Sequence, residues 1–334
     1  MTSSPRSEPA LTIDDIRAAA ARLRGRAVLT PLLESAALNA RLGGRLLVKA
    51  EGLQRTGSFK FRGAFNKLQG LTPAARAHGV VAYSSGNHAQ GVAAAAQILG
   101  IKATIVMPAD APRLKIDNTK GFGAAVVLYD RVGEDRREIA GAIASRDGAT
   151  LVPPYDDLAV MAGQGTVGLE LADQLGALET VADAVLVPCS GGGLTAGIAT
   201  AADALLPKTK VYSVEPRGFD DHARSFAAGE RIRNSGPESG FCDALLAPTP
   251  GELTFAVNRR LAAGGLVVED DAVRSAMAAA FTFLKIVTEP SGATALAAVL
   301  SGVYDIAGKT VIVVASGANV DAQSFSAVLN AVDE

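Results

Sequence analysis

The feature that most restricts this chain is an alternation: a short run of β-branched and aliphatic residues, a polar or glycine-rich stretch, then an alanine-rich segment of helical length. Gly79-Val80-Val81-Ala82-Tyr83 reads as a strand, Ser84 to His88 as a polar loop, Ala89 to Leu99 as a helix, and Ala103 to Met107 as the next strand, closed by Pro108. Strand, loop, helix, strand is the parallel βαβ unit, whose crossover helix covers the sheet, so an α/β fold is expected. Further strands are expected over 45–49, 125–129, 149–152, 184–188, 210–215, 266–268 and 310–315. Those of the first half fit one small open sheet. Pro153-Pro154 then breaks the pattern with a stiff pair where one domain can hand over to its neighbour, and 334 residues fit two domains. Helices are expected from Thr12-Ile13-Asp14-Asp15, a capping-box variant, over 35–42 before Gly43-Gly44, over 163–175, after the glycine loop at Gly193, and from the acidic start Glu269-Asp270-Asp271. The first ten residues read as a disordered tail, with no apolar signal core.

Composition narrows the partner. A net charge of -2 provides no basic stripe, which argues against nucleic acid and the membrane surface, and no apolar run reaches the length of a membrane span. The partner should be a small molecule. Apolar residues make up 49% of the chain but aromatics only 5%, with no tryptophan, which fits closely packed alanine-rich helices on a sheet. Cys189 and Cys242 stand among small or apolar residues and read as buried thiols in a reducing cytoplasm.

One lysine stands apart. In Thr56-Gly57-Ser58-Phe59-Lys60-Phe61-Arg62-Gly63 it lies between two phenylalanines after a Gly-Ser turn able to cap a helix, and Phe61, Phe65 and Leu68 recur at helical spacing. Lys60 then falls in a first helical turn. The helix dipole, apolar neighbours and the nearby cations Arg55 and Arg62 all disfavour an ammonium there, which leaves a nucleophilic amine fit for a Schiff base. A solvated lysine on a basic helix face is the competing reading, and the rest of the chain decides between them.

Three polar loops directly follow expected strands: Ser84-Ser85-Gly86-Asn87-His88, Ser190-Gly191-Gly192-Gly193 and Ser316-Gly317-Ala318-Asn319. In an open parallel sheet the strand C-termini face the ligand crevice, and small residues let backbone amides approach an anion. The triple glycine suits a phosphate, and the serine loop a carboxylate. A rival reading comes from Gly191-x-Gly193-x-x-Ala196, which satisfies a degenerate dinucleotide fingerprint, with Glu215 ending the next strand where a ribose-binding acid would stand. A nicotinamide oxidoreductase would, however, leave Lys60 and both serine loops without a role. His88 fits a structural hydrogen bond as well as proton transfer, and His78 and His222 read as surface residues; no Cys/His cluster points to zinc. The polar stretch from Arg217 to Leu253 is long enough to be functional.

Taken together, the segments 51–60 (Glu-Gly-Leu-Gln-Arg-Thr-Gly-Ser-Phe-Lys), Ser84 to Gly91, Pro153-Pro154-Tyr155-Asp156-Asp157, Ala162-Gly163-Gln164-Gly165-Thr166 and Ser190 to Gly193 resemble the serine/threonine dehydratases and serine racemases. These are pyridoxal-phosphate enzymes of the tryptophan-synthase-β-like fold, with two open twisted, mainly parallel sheets flanked by helices. The resemblance runs from Leu11 to Asp321. It implies a large cofactor-binding domain from 1–73 and 154–334, a small domain from 74–153, and a homodimer. Lys60 would carry pyridoxal 5'-phosphate as a Schiff base, with Phe59 against the ring, Asn87 on its 3-hydroxyl, and the amides of Gly191, Gly192, Gly193 and Leu194 around its phosphate. Ser316 would face the pyridine nitrogen, and Ser84, Ser85, Asn87 and His88 would close on the substrate carboxylate. Ser85, on the opposite face from Lys60, matches a second acid/base. Val214-Glu215-Pro216 followed by Asp221 resembles the divalent-cation site of the racemase branch, where both carboxylates and the Phe219 carbonyl would bind Mg2+, Ca2+ or Mn2+. The competing reading has Asp220 or Asp221 merely cap a helix running through Phe226.

The resemblance is not complete. Ser190 replaces a fourth glycine, Tyr155 follows the dehydratase pattern, and the chain stops soon after Asn319, so no isoleucine-sensing regulatory domain is expected. The implied activity is elimination of water and ammonia from L-threonine or L-serine, with serine racemase or a 3-hydroxyaspartate dehydratase using Arg136 as alternatives.

Overall fold

The computed structural model describes residues 11–236 and 239–332, so the expected N-terminal tail lies outside the described residues. Among the described residues ten strands form two sheets: β1 (Leu32–Glu34), β2 (Arg45–Ala50), β3 (Val80–Tyr83), β4 (Ala103–Pro108), β5 (Ala125–Tyr129), β6 (Thr150–Leu151), β7 (Ala184–Pro188), β8 (Lys210–Pro216), β9 (Gly264–Val268) and β10 (Thr310–Ala315). Six of them run in the order β1-β2-β10-β7-β8-β9, and four in the order β5-β4-β3-β6. Each of these pairings is parallel except that of β1 with β2. The apolar runs explain this arrangement. A parallel sheet is covered on both faces, so its inner strands lose the polar alternation of a half-exposed sheet. All five residues of β7 and all four of β3 are buried. Each buried valine or leucine contributes about 1.5–3 kcal/mol.

Local signals set the element ends. Thr12 and Asp15 close a reciprocal capping box on the Ile13–Leu23 helix, and Ser35 caps the Ala36–Leu42 helix, which ends on Gly43 at φ 65°. Two helices begin earlier than the pattern predicts. The Leu158–Ala177 helix starts where the Asp157 carboxylate accepts the Val160 amide, and the Asn87–Leu99 helix already includes Asn87 and His88. The Gly-Ser turn does not cap the lysine helix. Phe59 holds the N-cap position of Lys60–Gln69 without a side-chain bond, while Ser58 bridges to Gly317.

Small residues bring the helices together. A Cβ on Gly163 would lie 2.6 Å from both the Arg62 carbonyl oxygen and the Gly63 Cα, so the lysine helix and the Leu158–Ala177 helix touch backbone to backbone. Beneath them Arg62 pairs with Glu51 at 2.8 Å and Glu170 at 2.6 Å, and Lys49 pairs with the same Glu170 at 2.6 Å. Removing one member of such a buried network strands the others, at a cost of about 3–5 kcal/mol. The start of the lysine helix is thus anchored from below.

Candidate active site

The strand ends converge. β2 leads through short 3-10 turns into the Lys60–Gln69 helix, β3 into Ser84–Gly86, β7 into the glycine loop and β10 into Ser316. One cavity is lined by Phe59, Lys60, Ser84, Ser85, Asn87, His88, Gly191, Gly192, Gly193, Leu194 and Ser316, so residues drawn from four separate stretches of the sequence share a single site. Glu215, Phe219 and Asp221 are not among its lining residues.

The Lys60 amine donates to the Pro154 carbonyl at 2.7 Å and lies 5.2 Å from the centre of the Phe59 ring. Burial lowers its pKa from 10.5 to about 8. The expected contribution of neighbouring cations is absent, because Arg62 is neutralised by Glu51 and Glu170, and Arg55 is exposed and donates to the Arg26 carbonyl. Desolvation alone makes this amine available as a nucleophile near neutral pH.

The glycine loop faces it. Gly193 to Leu205 form a helix whose N-cap, Gly192, has φ 93°, and the amides of the first turn have no intrahelical acceptor. The loop's carbonyls are tied down at the back: that of Gly191 accepts the Thr254 hydroxyl at 2.5 Å, and that of Gly192 accepts the Asn258 amide at 3.1 Å. Side chains are excluded, since a Cβ on Gly191 would sit 2.2 Å from the Tyr155 ring. The Thr195 hydroxyl in the same cradle is buried with only the Cys189 thiol beside it. A hollow of outward amides plus a buried hydroxyl fits a phosphate group.

The Asn87 side chain is held on both sides. Its carbonyl oxygen accepts from Asn319 at 2.8 Å, and its amide nitrogen donates to Glu289. Glu289 is buried, and burial pushes its carboxyl up to about 7, opposed mainly by Lys115 at 3.8 Å. Lys115 also pairs with Asp243 at 2.6 Å, and Gly86 lies against its side chain. Sequence reasoning missed Glu289, Lys115 and Asp243; only the length of the 217–253 excursion, which brings Asp243 to Ala247 to the cavity wall, pointed toward one of them. His88 contacts the Val152 carbonyl at 2.9 Å, and burial, with Lys60 nearby, lowers its pKa to about 3. It is a neutral structural ring. The Ser84 hydroxyl accepts the Gly86 amide at 3.2 Å.

His222 contradicts its surface assignment. It is fully buried, packed on Phe226 and Phe255 with ring centres 5.7 and 6.4 Å away, because its helix (Asp221–Ala228) turns that face inward. His78 is exposed, as expected. The carboxylate capping that helix is not Asp220 or Asp221 but Glu215, which accepts the amides of His222 at 2.9 Å and Ala223 at 2.8 Å. Burial and then the neighbouring Asp221 raise Glu215 well above the usual carboxylate range; Asp221, also raised by burial, reaches about 7. Among the described residues no cluster of three His, Cys, Asp or Glu side chains could hold a metal. Cys189 and Cys242 are both free and buried, as expected.

A desolvated lysine amine facing a preformed phosphate cradle defines an enzyme that handles a phosphorylated carbonyl cofactor. The chain belongs to the family of pyridoxal-phosphate-dependent enzymes, whose model matches residues 25–317. It is 42% identical to an L-threo-3-hydroxyaspartate ammonia-lyase of a Pseudomonas species, over 94% of this chain and 97% of the relative. Among solved structures, a threonine deaminase from T.th. superposes with a TM-score of 0.87 at 45% identity, over 93% of this chain and 99% of that one. A maize serine racemase superposes with a TM-score of 0.89 at 38% identity, over 98% of this chain and all of that one. The two mainly parallel sheets are those of this family's fold. The family match leaves the nicotinamide alternative without support, and Glu215 accepts helix amides.

Proposed function

We propose that this pyridoxal-phosphate-dependent ammonia-lyase eliminates water and ammonia from a β-hydroxy amino acid, L-threonine or L-serine, leaving a 2-oxo acid. The observation that carries the proposal is the desolvated Lys60 amine sharing one cavity with the glycine cradle and the serine loop. When bound, pyridoxal phosphate supplies a carbonyl for the substrate amine and an electron sink for the α-carbon. The protein's own residues do the rest. Lys60 removes the α-proton as general base once its amine is free, for which a pKa near 8 is well matched. The amides of Gly191, Gly192, Gly193 and Leu194 take the phosphate, and Phe59 packs against the ring. Asn87, oriented by Asn319 and Glu289, meets the ring hydroxyl, and Ser316 the ring nitrogen. The loop formed by Ser84, Ser85, Asn87 and His88 closes on the substrate carboxylate. The large domain is formed by 1–73 and 154–334 and the small one by 74–153; the enzyme is cytoplasmic and a homodimer.

A second reading concerns the substrate side chain. Arg131, Arg136 and Arg137 line the same cavity. Arg137 donates to the Tyr155 hydroxyl at 3.3 Å and lies 6.0 Å from the Tyr83 ring centre, so its direct contacts are neutral groups, with Asp135 the carboxylate that acts on it from further off. A cation held in this way suits a second carboxylate, and hence 3-hydroxyaspartate. Serine racemase activity would need Ser85 as the second acid/base, and Ser85 does line the cavity. A divalent cation at Glu215, Asp221 and the Phe219 carbonyl is supported by two buried carboxylates, of which Asp221 raises Glu215, and by the unpartnered Oδ2 of Asp221. The test is a panel of L-threonine, L-serine and L-threo-3-hydroxyaspartate with and without Mg2+, following 2-oxo acid, ammonia and D-serine. Product from none of them rejects the proposal.

A further inference from the structure

Behind the glycine loop sits a polar group that the reaction does not use. Both ring nitrogens of His222 are buried and neither makes a well-aligned hydrogen bond, although the Ser190 and Gly191 backbone stands close enough to act on the ring. A Cβ on Gly192 would lie 2.6 Å from the His222 Cε1 and 2.7 Å from its Nε2, so the ring is pressed against the back of the turn. Among the carbonyls there, that of Gly191 already accepts Thr254 and the Gly251 amide, and that of Gly192 accepts Asn258 and the Ala196 amide. The Ser190 carbonyl has the Cys189 thiol, at 3.8 Å, and the His222 ring beside it. An imidazole N–H without a well-aligned acceptor and a carbonyl without a good donor therefore stand together on the same side of the loop.

We infer that His222 is a positioning residue for the phosphate loop, its ring N–H taking the Ser190 carbonyl when the loop's amides turn toward a phosphate. The inference rests on the cofactor reading above. Fixing the last untied carbonyl on the outer side of the turn keeps the opposite edge of each peptide, its N–H, aimed into the cavity. His222 also packs on Phe226 and Phe255, so removing its ring has a packing effect as well, and the test must separate the two.

The separation comes from titrating cofactor-free protein with pyridoxal phosphate and with pyridoxal, which lacks the phosphate, and comparing the two affinities. In His222→Ala and His222→Phe the preference for the phosphorylated form should fall about tenfold, the effect of one lost hydrogen bond in a buried anion cradle, with pyridoxal affinity unchanged. His222→Gln, which restores a donor, should recover part of it. His222→Phe keeps the aromatic packing and so provides the answer even if His222→Ala fails to fold. A preference unchanged in His222→Phe, or a parallel loss for both ligands, overturns the role of His222 while leaving the cofactor reading intact. Wild-type protein that binds neither ligand overturns the cofactor reading and this inference with it.

Discussion

Replacing Lys60 by methionine in the cofactor-free protein isolates the desolvation on which its chemistry depends. The amine falls from 10.5 to about 8 through burial alone. Holding it protonated in the fold therefore costs at most about 3 kcal/mol, less whatever water in the open cavity screens. The sign follows from proton binding. Between pH 8 and 10.5 the unfolded chain keeps a proton on this lysine that the folded chain has released, so wild-type stability rises with pH across that window and is lost again as pH falls through 8. Methionine carries no proton in either state, and its loss of the hydrogen bond to Pro154 is a constant offset. Urea unfolding of both proteins across that window should show wild type gaining up to about 3 kcal/mol on the variant. A stability difference that does not change with pH would mean that the amine is not desolvated, and the argument for its nucleophilicity would fail.

Three other perturbations have defined outcomes. Glu289, raised from 4.5 to about 7, works in the opposite sense: between those pH values the folded chain holds a proton that the unfolded chain does not. Wild type should therefore lose up to about 3 kcal/mol relative to Glu289→Gln as pH climbs from 4.5 to 7, read by urea unfolding. Gly163→Ala forces a methyl against the backbone of Arg62 and Gly63, and should destabilise by about 1–3 kcal/mol or more, seen as a Tm lowered by several degrees. Arg137→Gln should raise KM for L-threo-3-hydroxyaspartate about tenfold or more while leaving L-serine nearly unaffected; equal changes for both would remove Arg137 from side-chain recognition.

Much of the framework was legible because it depends on local pattern. Continuous apolar runs such as Val185-Leu186-Val187 signalled covered parallel strands, and Ser190 to Gly193 after a strand signalled an anion cradle. Lys60 stood out by its phenylalanine neighbours, although the mechanism of its shift was partly misread, since the adjacent Arg62 is silenced by carboxylates that arrive from elsewhere in the chain. What could not be read is what long-range packing creates. Asn87 meets Glu289 across 202 residues and Lys115 meets Asp243 across 128, and no periodicity encodes such meetings. His222 looked exposed because a polar residue beside two aspartates usually is, and only the fold of the helix against Phe255 buries it.

The central claim is that one amine, that of Lys60, carries the cofactor. Borohydride reduction of the protein saturated with pyridoxal phosphate, followed by peptide mapping, addresses it directly. The account predicts a single pyridoxyl label on the peptide containing Lys60; a label on another lysine, or none, would contradict it.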